Sequence, residues 1–409
     1  MTGSRELVDA DGITRRGWLL VWTLSTAQLV SWGTLFYSFS LFIVPMEREL
    51  GWSKTDLNGA LSAGLLVAAF LAMPVGRWID RGRDRAVMTI GSLAGALMLL
   101  AWAAVSDLVL FYAIWLVIGA SFAATLYEPA FAVLTARLGS HYRRAITSMT
   151  LVGGFASTVF MPLTQLLIDW IGWRPTLVVL GLVTLAFCGG VHWFMLAPSP
   201  RPEAPPPDVK TEDRSPLRRA LRTSAFWALL LAFAGYAAAQ SALIFHLVPL
   251  MNELRMDTAT VIAILALIGP MQVAGRVLIV AFGKHLSART IGSFSLLVQP
   301  AAMLVLILLP PTPLWVGFSV AVYGMANGMT TIVRGTVVQE VLGRDGYGVI
   351  NGALSFPATI LRALAPAVAA LIFDLSGGYD RVLWVVFAVY AVAAAAFLVA
   401  AAWRPRTGT

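Results

Sequence analysis

Charge is what this 409-residue sequence has least of: only 12% of its residues are Asp, Glu, Lys or Arg, against about 25% in a soluble chain. Cysteine is nearly missing. Cys188 stands alone, which excludes an intrachain disulfide and a thiolate metal centre; it reads as a small apolar packing residue. Four histidines, His141, His192, His246 and His285, are scattered along the chain. No apolar run carries paired aspartates, a Ser/His set or clustered histidines, so neither catalytic residues nor a metal site is expected, and the chain does not read as an enzyme. A Gly-x-x-x-x-Gly-Lys-Ser/Thr loop is also lacking, which argues against ATP drive and leaves no cofactor to expect. The opening "RELVDADGITRRGW" has no h-region, so no cleavable signal is expected before the first apolar run.

What fills the space is hydrocarbon. The sequence is 58% hydrophobic with a mean hydropathy of +0.79, and apolar runs of membrane-crossing length recur from end to end. Twelve spans are predicted near 18–44, 55–78, 86–106, 109–135, 146–168, 175–197, 225–250, 259–282, 290–309, 313–338, 348–372 and 382–402. Of 29 Lys and Arg, 21 fall in segments on the amino-terminal side of the membrane and five in loops on the other. That asymmetry predicts a multi-pass protein of the plasma (inner) membrane with both termini cytoplasmic. It also explains the net charge of +8 without nucleic acid. The partners expected are the lipid bilayer, a small molecule and protons, with a monomer as the working unit.

The longest polar interruption, "PSPRPEAPPPDVKTEDRSPLRRALRTS" (198–224), has seven prolines and mixed charge and reads as an extended solvated linker. It separates a first six-helix half (18–197) from a second (225–403), with short cytoplasmic ends at 1–17 and 404–409. The halves read as copies. "VPMEREL" (44–50) returns as "VPLMNEL" (248–254) at an offset of 204, and "LIDWIGWRP" (167–175) as "LIFDLSGGYDR" (371–381) at 205. An even number of spans per copy makes the repeat parallel, a transporter plan with the site between the halves near mid-membrane.

The loop after the second span, "GRWIDRGRDRAVM" (76–88), resembles the signature loop of the major facilitator superfamily, Gly-x-x-x-Asp-Arg-x-Gly-Arg-Lys/Arg, through Gly76, Asp80, Arg81 and Arg85. The second glycine is displaced to Gly82, and Asp84 stands where a basic residue is usual. On physical grounds Gly76 permits close helix approach, and Asp80 can accept from arginine or helix-terminal N–H groups as a cytoplasmic latch. The alternative is a generic basic loop. "FGKHLSART" (282–290) has no acid, so one copy of the latch is expected. A narrower resemblance, carried by "FYSFSLFIVPMERELGWSKTDLNGALSAG" (36–64), "GWRP" (172–175) and Gly275–Arg276, is to the monocarboxylate transporter-like branch with its oxalate/formate-type carriers. It implies an all-α integral membrane fold of the major facilitator type, twelve transmembrane helices in two parallel six-helix repeats around a central cavity. It further implies proton-coupled carriage of small carboxylates, with Arg276 of span eight as the anion's ligand. Gln272 replaces the aspartate that many members place one turn earlier, and a lysine sometimes found in span one is replaced near Tyr37.

Arg276 lies within "AILALIGPMQVAGRVLIVAFG" (263–283), where a permanent cation is costly in hydrocarbon, roughly 2.5 kcal/mol or more at mid-bilayer. A carboxylate cargo would supply the counter-charge for its fork of donors; the other reading is an arginine snorkelling to the cytoplasmic interface. Glu128 and Arg334 are equivalent in the two halves at an offset of 206. They suggest a gating ion pair, a proton carrier in Glu128, or a static pair. Arg362, between Pro357 and Pro366, reads as structural or as a second clamp. Tyr127, Tyr37, Gln272, Tyr323 and Asn327 are taken as candidate substrate contacts, with Tyr236 and Gln240 as further polar groups within spans and His246 as a packed neutral imidazole. The function expected is a proton-coupled secondary active symporter of a small organic anion. A permease exporting hydrophobic compounds, and a membrane sensor that binds a carboxylate without moving it, are the alternatives.

Overall fold

The structure is a computed structural model that describes residues 7–9, 12–196, 215–283 and 286–404. Most of the predicted linker lies outside the described residues. Its end, from Ser215, forms a short helix, α11 (Pro216–Leu221), because Ser215 caps it and Pro216 takes the first helical position. Apart from an antiparallel hairpin of Val8–Asp9 with Gly12–Ile13, every element among the described residues is helical.

The chain forms two compact units, Met1–Arg214 with Gly346–Ala353, and Ser215–Asp345 with Leu354–Thr409. In the first, α1 (Arg15–Ser31) passes through a π-helical stretch, Trp32–Tyr37, into α2 (Phe39–Leu50). There follow α3 (Lys54–Asp80), α4 (Asp84–Ala103), α5 (Leu108–Thr125), α6 (Tyr127–Leu138), α7 (Tyr142–Gly153), α8 (Ala156–Ile171) and α9 (Trp173–Val183). A second π-helical stretch, Thr184–Gly189, leads into α10 (Gly190–Met195). The second unit holds α12 (Ser224–Glu253), α13 (Thr258–Phe282), α14 (Ala288–Leu308), α15 (Pro313–Leu342), most of α16 (Tyr347–Ser376) and α17 (Tyr379–Ala402). Among the described residues eleven helical stretches are long and apolar enough to cross a membrane, one of them the 64-residue run Leu108–Ile171. A straight run of that length would measure about 96 Å, three times a ~30 Å bilayer core. It is turned at Gly139, whose φ is +52°. Counted as two passes, it brings the crossings to twelve.

The repeat is visible in the bonds each unit makes with itself. Ser53 caps α3 in a reciprocal box with Asp56, and Asp257, 204 residues on, caps α13 through the Thr260 N–H at 3.0 Å. Glu49 accepts from Trp173 Nε1 at 2.5 Å and Arg174 Nε at 2.8 Å. Its counterpart Glu253 accepts from the Tyr379 N–H at 3.3 Å. The repeated heptapeptides therefore each carry, one residue before their last, a glutamate that ties the first span of each half to the start of the sixth. At the Arg-rich end, Asp84 is buried against Arg137 Nε at 2.7 Å, while Glu340 accepts from the Ala288 N–H at 2.7 Å and pairs with Arg289 at 3.5 Å. The same corner is closed in both halves with the charges exchanged, which accounts for an acid at position 84.

Lipid offers no hydrophobic gain for bringing helices together, so contact comes from close packing. The first unit sets aromatic rings edge to face: Phe39 against Trp115 at 4.7 Å, Phe42 against Trp102 at 5.2 Å, and Trp102 against Trp115 at 5.3 Å. The core of the second is largely aliphatic, with Leu243, Leu247, Met251, Ile264, Met303 and Val320.

Candidate functional site

The rotation of α13 is fixed by Gly275. A Cβ there would lie 2.1 Å from the Met325 carbonyl oxygen of α15, so only glycine allows this crossing. Val277 and Leu278 occupy the exposed side. Arg276 falls between and is 5% exposed, turned neither to headgroups nor to bulk water. Its Nε is buried without a hydrogen-bond partner, and no carboxylate pairs with it among the described residues.

Around it the second unit gathers neutral polar groups. Asn327 Oδ1 accepts from the Tyr236 hydroxyl and from Gln240 Nε2, the latter at 3.0 Å. The guanidinium groups of Arg362, Arg334 and Arg276 all act electrostatically on the Tyr236 hydroxyl, so the three arginines and this Tyr–Gln–Asn cluster share one region. Tyr323 and Tyr390 are buried there too, with Tyr390 and Tyr236 rings 6.3 Å apart. Arg334 donates to Ser355 Oγ at 2.9 Å. Gln272 is half-buried one turn before Arg276, its carbonyl oxygen against Gly328 of α15. His246 is engaged elsewhere: its Nε2 donates to the Pro366 carbonyl and its Nδ1 meets the Tyr379 hydroxyl, each at 2.9 Å. A carbonyl only accepts, so Nε2 is a protonated nitrogen of this ring.

In the first unit Tyr127 and Tyr37 share one neighbour, Trp32, with ring separations of 5.2 and 5.9 Å. Trp32 opens the first π-helical stretch, and such stretches recur at functional sites; its Nε1 is buried without a hydrogen-bond partner. Span four is broken here as well. Leu126 is extended, with ψ −159°, and the Thr125 carbonyl that the break frees accepts from Gln28 Nε2 at 2.6 Å. Tyr127 and Glu128 thereby open α6, with Glu128 half-buried.

Of the loop residues, Asp80 accepts from the Gly348 and Val349 N–H groups, both at 2.9 Å, at the start of α16. Gly76 lies so close to Gly348 that a Cβ would be 2.1 Å from its carbonyl oxygen. Arg85 instead covers the Trp193 ring at 3.9 Å, and Arg81 is exposed.

Sequence reasoning left Trp32, Tyr390 and Ser355 out. A tryptophan, a tyrosine or a serine in an apolar run carries no signal until its neighbours are known.

Residues 24–366 match the family described as Major Facilitator Superfamily. Among similar proteins, Monocarboxylate transporter 13 of Bos taurus is 27% identical over 89% of this chain and 84% of its own length. Monocarboxylate transporter 11 of Homo sapiens is 31% identical over 49% of this chain, and this chain spans 41% of that protein. Among solved structures, the E. coli fucose:proton symporter FucP superposes with a TM-score of 0.74 at 14% identity, covering 94% of this chain and 98% of the other. The human organic anion transporter MFSD10 gives 0.68 at 16%, covering 94% and 99%. The fold, the repeat and the match across most of the sequence agree: the chain belongs to the Major Facilitator Superfamily, a family of multi-pass membrane transporters and not of enzymes.

Proposed function

We propose that this protein is a secondary carrier of a small, monocarboxylate-like organic anion, working by alternating access with protons as the coupling ion. One observation carries the anion: the Arg276 guanidinium is 5% exposed, its Nε is unpartnered, and no carboxylate among the described residues neutralises it. Such a group is stabilised by a charged cargo and destabilised by hydrocarbon. Its fork suits a carboxylate better than a point charge does. The names of the relatives and of one structural neighbour, monocarboxylate and organic anion transporters, lie in the same direction. In this proposal Tyr127, Tyr37, Gln272, Tyr323 and Asn327 complete the substrate contacts. Glu128 carries the proton or gates with Arg334, and Arg362 shapes the polar region. Gly76 and Asp80 form the cytoplasmic latch, with Arg81 and Arg85 as its basic neighbours in the same loop. The monomer works in the plasma membrane with both termini inside.

Counterflow of radiolabelled small monocarboxylates in proteoliposomes tests this. Exchange by the native protein that is lost in Arg276→Ala supports it; exchange without any carboxylate preference removes it, and a sensor gives no counterflow at all. Glu128→Gln tests the coupling: exchange retained with accumulation lost marks the proton carrier.

A further inference from the structure

Two grooves flank the Arg-rich end of α4 on the first unit. One, about 550 Å³, is lined by Thr89, Ile90, Leu93, Leu185, Gly190 and Phe194 among others. The other, about 420 Å³, has Leu71, Val75, Trp78 and Arg83 in its wall. Ala86 and Ile90 line both, so they form the ridge between them, and Ile90 is 65% exposed. Both walls are largely apolar; Arg83 lines the second groove, and Arg85, beside it at the start of α4, lies over Trp193, which lines the first.

Two polar groups in this region lack partners. Thr89 is 6% exposed, lines the first groove, and its Oγ1 makes no hydrogen bond. That is unusual, because a helical threonine ordinarily donates to the carbonyl one turn back. Arg85, one turn before it on the same face, covers Trp193 while its Nε stays buried and unpartnered. The nearby acids do not compensate. Asp84 is held by Arg137 and Asp80 by two backbone N–H groups. The amino end of α4 adds its own positive field.

We propose that this surface is a binding site for one anionic diacyl glycerophospholipid. Its phosphate sits at Arg83 and Arg85, an ester carbonyl accepts from Thr89 Oγ1, and one acyl chain lies in each groove astride the Ile90 ridge. The vertical order of cation, hydroxyl donor and apolar trough matches the order of phosphate, ester and chain in such a lipid, and the surplus of arginine selects the anionic kind.

The test is native mass spectrometry of the full-length, delipidated protein with dioleoylphosphatidylglycerol, dioleoylphosphatidylcholine or inorganic phosphate. The first phosphatidylglycerol is expected to be retained at roughly fivefold lower concentration than phosphatidylcholine, with millimolar phosphate failing to displace it. Thr89→Val should weaken retention roughly fivefold, as for one lost hydrogen bond. Gly190→Leu fills the first groove without strain, since a Cβ there meets nothing within 4 Å, and should abolish the preference while leaving the melting temperature intact. Equal retention of the two lipids, displacement by phosphate alone, or a Gly190→Leu protein that binds as the native one does would overturn the proposal.

Discussion

Replacing Arg276 by methionine should make the empty protein more stable and the loaded protein less so. The guanidinium is buried six residues before Phe282, the end of α13, about 9 Å along the axis. A full mid-bilayer charge costs roughly 2.5–3.5 kcal/mol. With the Arg-rich membrane face this near, about 1–2 kcal/mol of that remains, and methionine fills similar length without the charge. The ligand side has the opposite sign. A charge-assisted hydrogen bond contributes about 1.5–3 kcal/mol, so affinity for a carboxylate should fall roughly ten- to a hundredfold. Intrinsic fluorescence from the 14 tryptophans follows unfolding in detergent with and without carboxylates. Arg276→Met should melt higher than the native protein when empty and lose the ligand-induced rise. Arg276→Lys, which keeps the charge and loses the fork, should recover only part of that rise. If Arg276→Met melts lower when empty, the guanidinium is a structural tie and the reasoning fails. Carboxylate exchange within about twofold of native would refute it equally.

Gly275→Leu should prevent assembly of the second unit, because its Cβ would stand 2.1 Å from the Met325 carbonyl oxygen; size-exclusion chromatography should find aggregate in place of a monodisperse peak. Arg137→Met leaves the buried Asp84 carboxylate without its cation and should destabilise by about 3–5 kcal/mol, with the pair Asp84→Asn/Arg137→Met recovering most of the loss. The Asp257 carboxyl is held below its ordinary pKa by the Thr260 hydroxyl and then the Thr260 N–H. Its capping contribution is therefore full above the unfolded value near 4 and lost as pH falls through the lowered folded value. Melting temperatures measured from pH 7 to 3 should show a smaller acid slope in Asp257→Asn.

Span count and family were legible because both rest on properties local in sequence: apolar length, the Gly76–Asp80–Arg81 loop, and offsets near 204. Arg276 was also legible, as the cation that should not be there. Its direction was not, because helix rotation is decided by Gly275 against Met325, two residues separated by a whole span. The break at Leu126 had a trace in Pro129, which lacks the N–H that the Thr125 carbonyl would otherwise take. What was not legible is the amide that satisfies that carbonyl, because it belongs to Gln28, in another span. The role of Asp84 was hidden for the same reason, since an acid in a basic loop becomes intelligible only beside Arg137. Periodicity records what each helix buries, and none of the pairings between helices.

The grip of Asp80 on Gly348 and Val349 has a consequence for how this protein can drift over time. One side of that contact is main chain, which nearly every amino acid supplies alike. Position 349 can therefore change without releasing the carboxylate unless proline arrives, whereas a Cβ at Gly348 would stand 2.5 Å from the Gly76 carbonyl oxygen and 2.8 Å from the Asp80 carboxylate, and position 80 has no substitute of equal reach and charge. Saturation mutagenesis should register the contact at positions 80 and 348 and stay almost silent at 349. Covariation between 80 and 349, the usual trail left by touching residues, has little chance to accumulate.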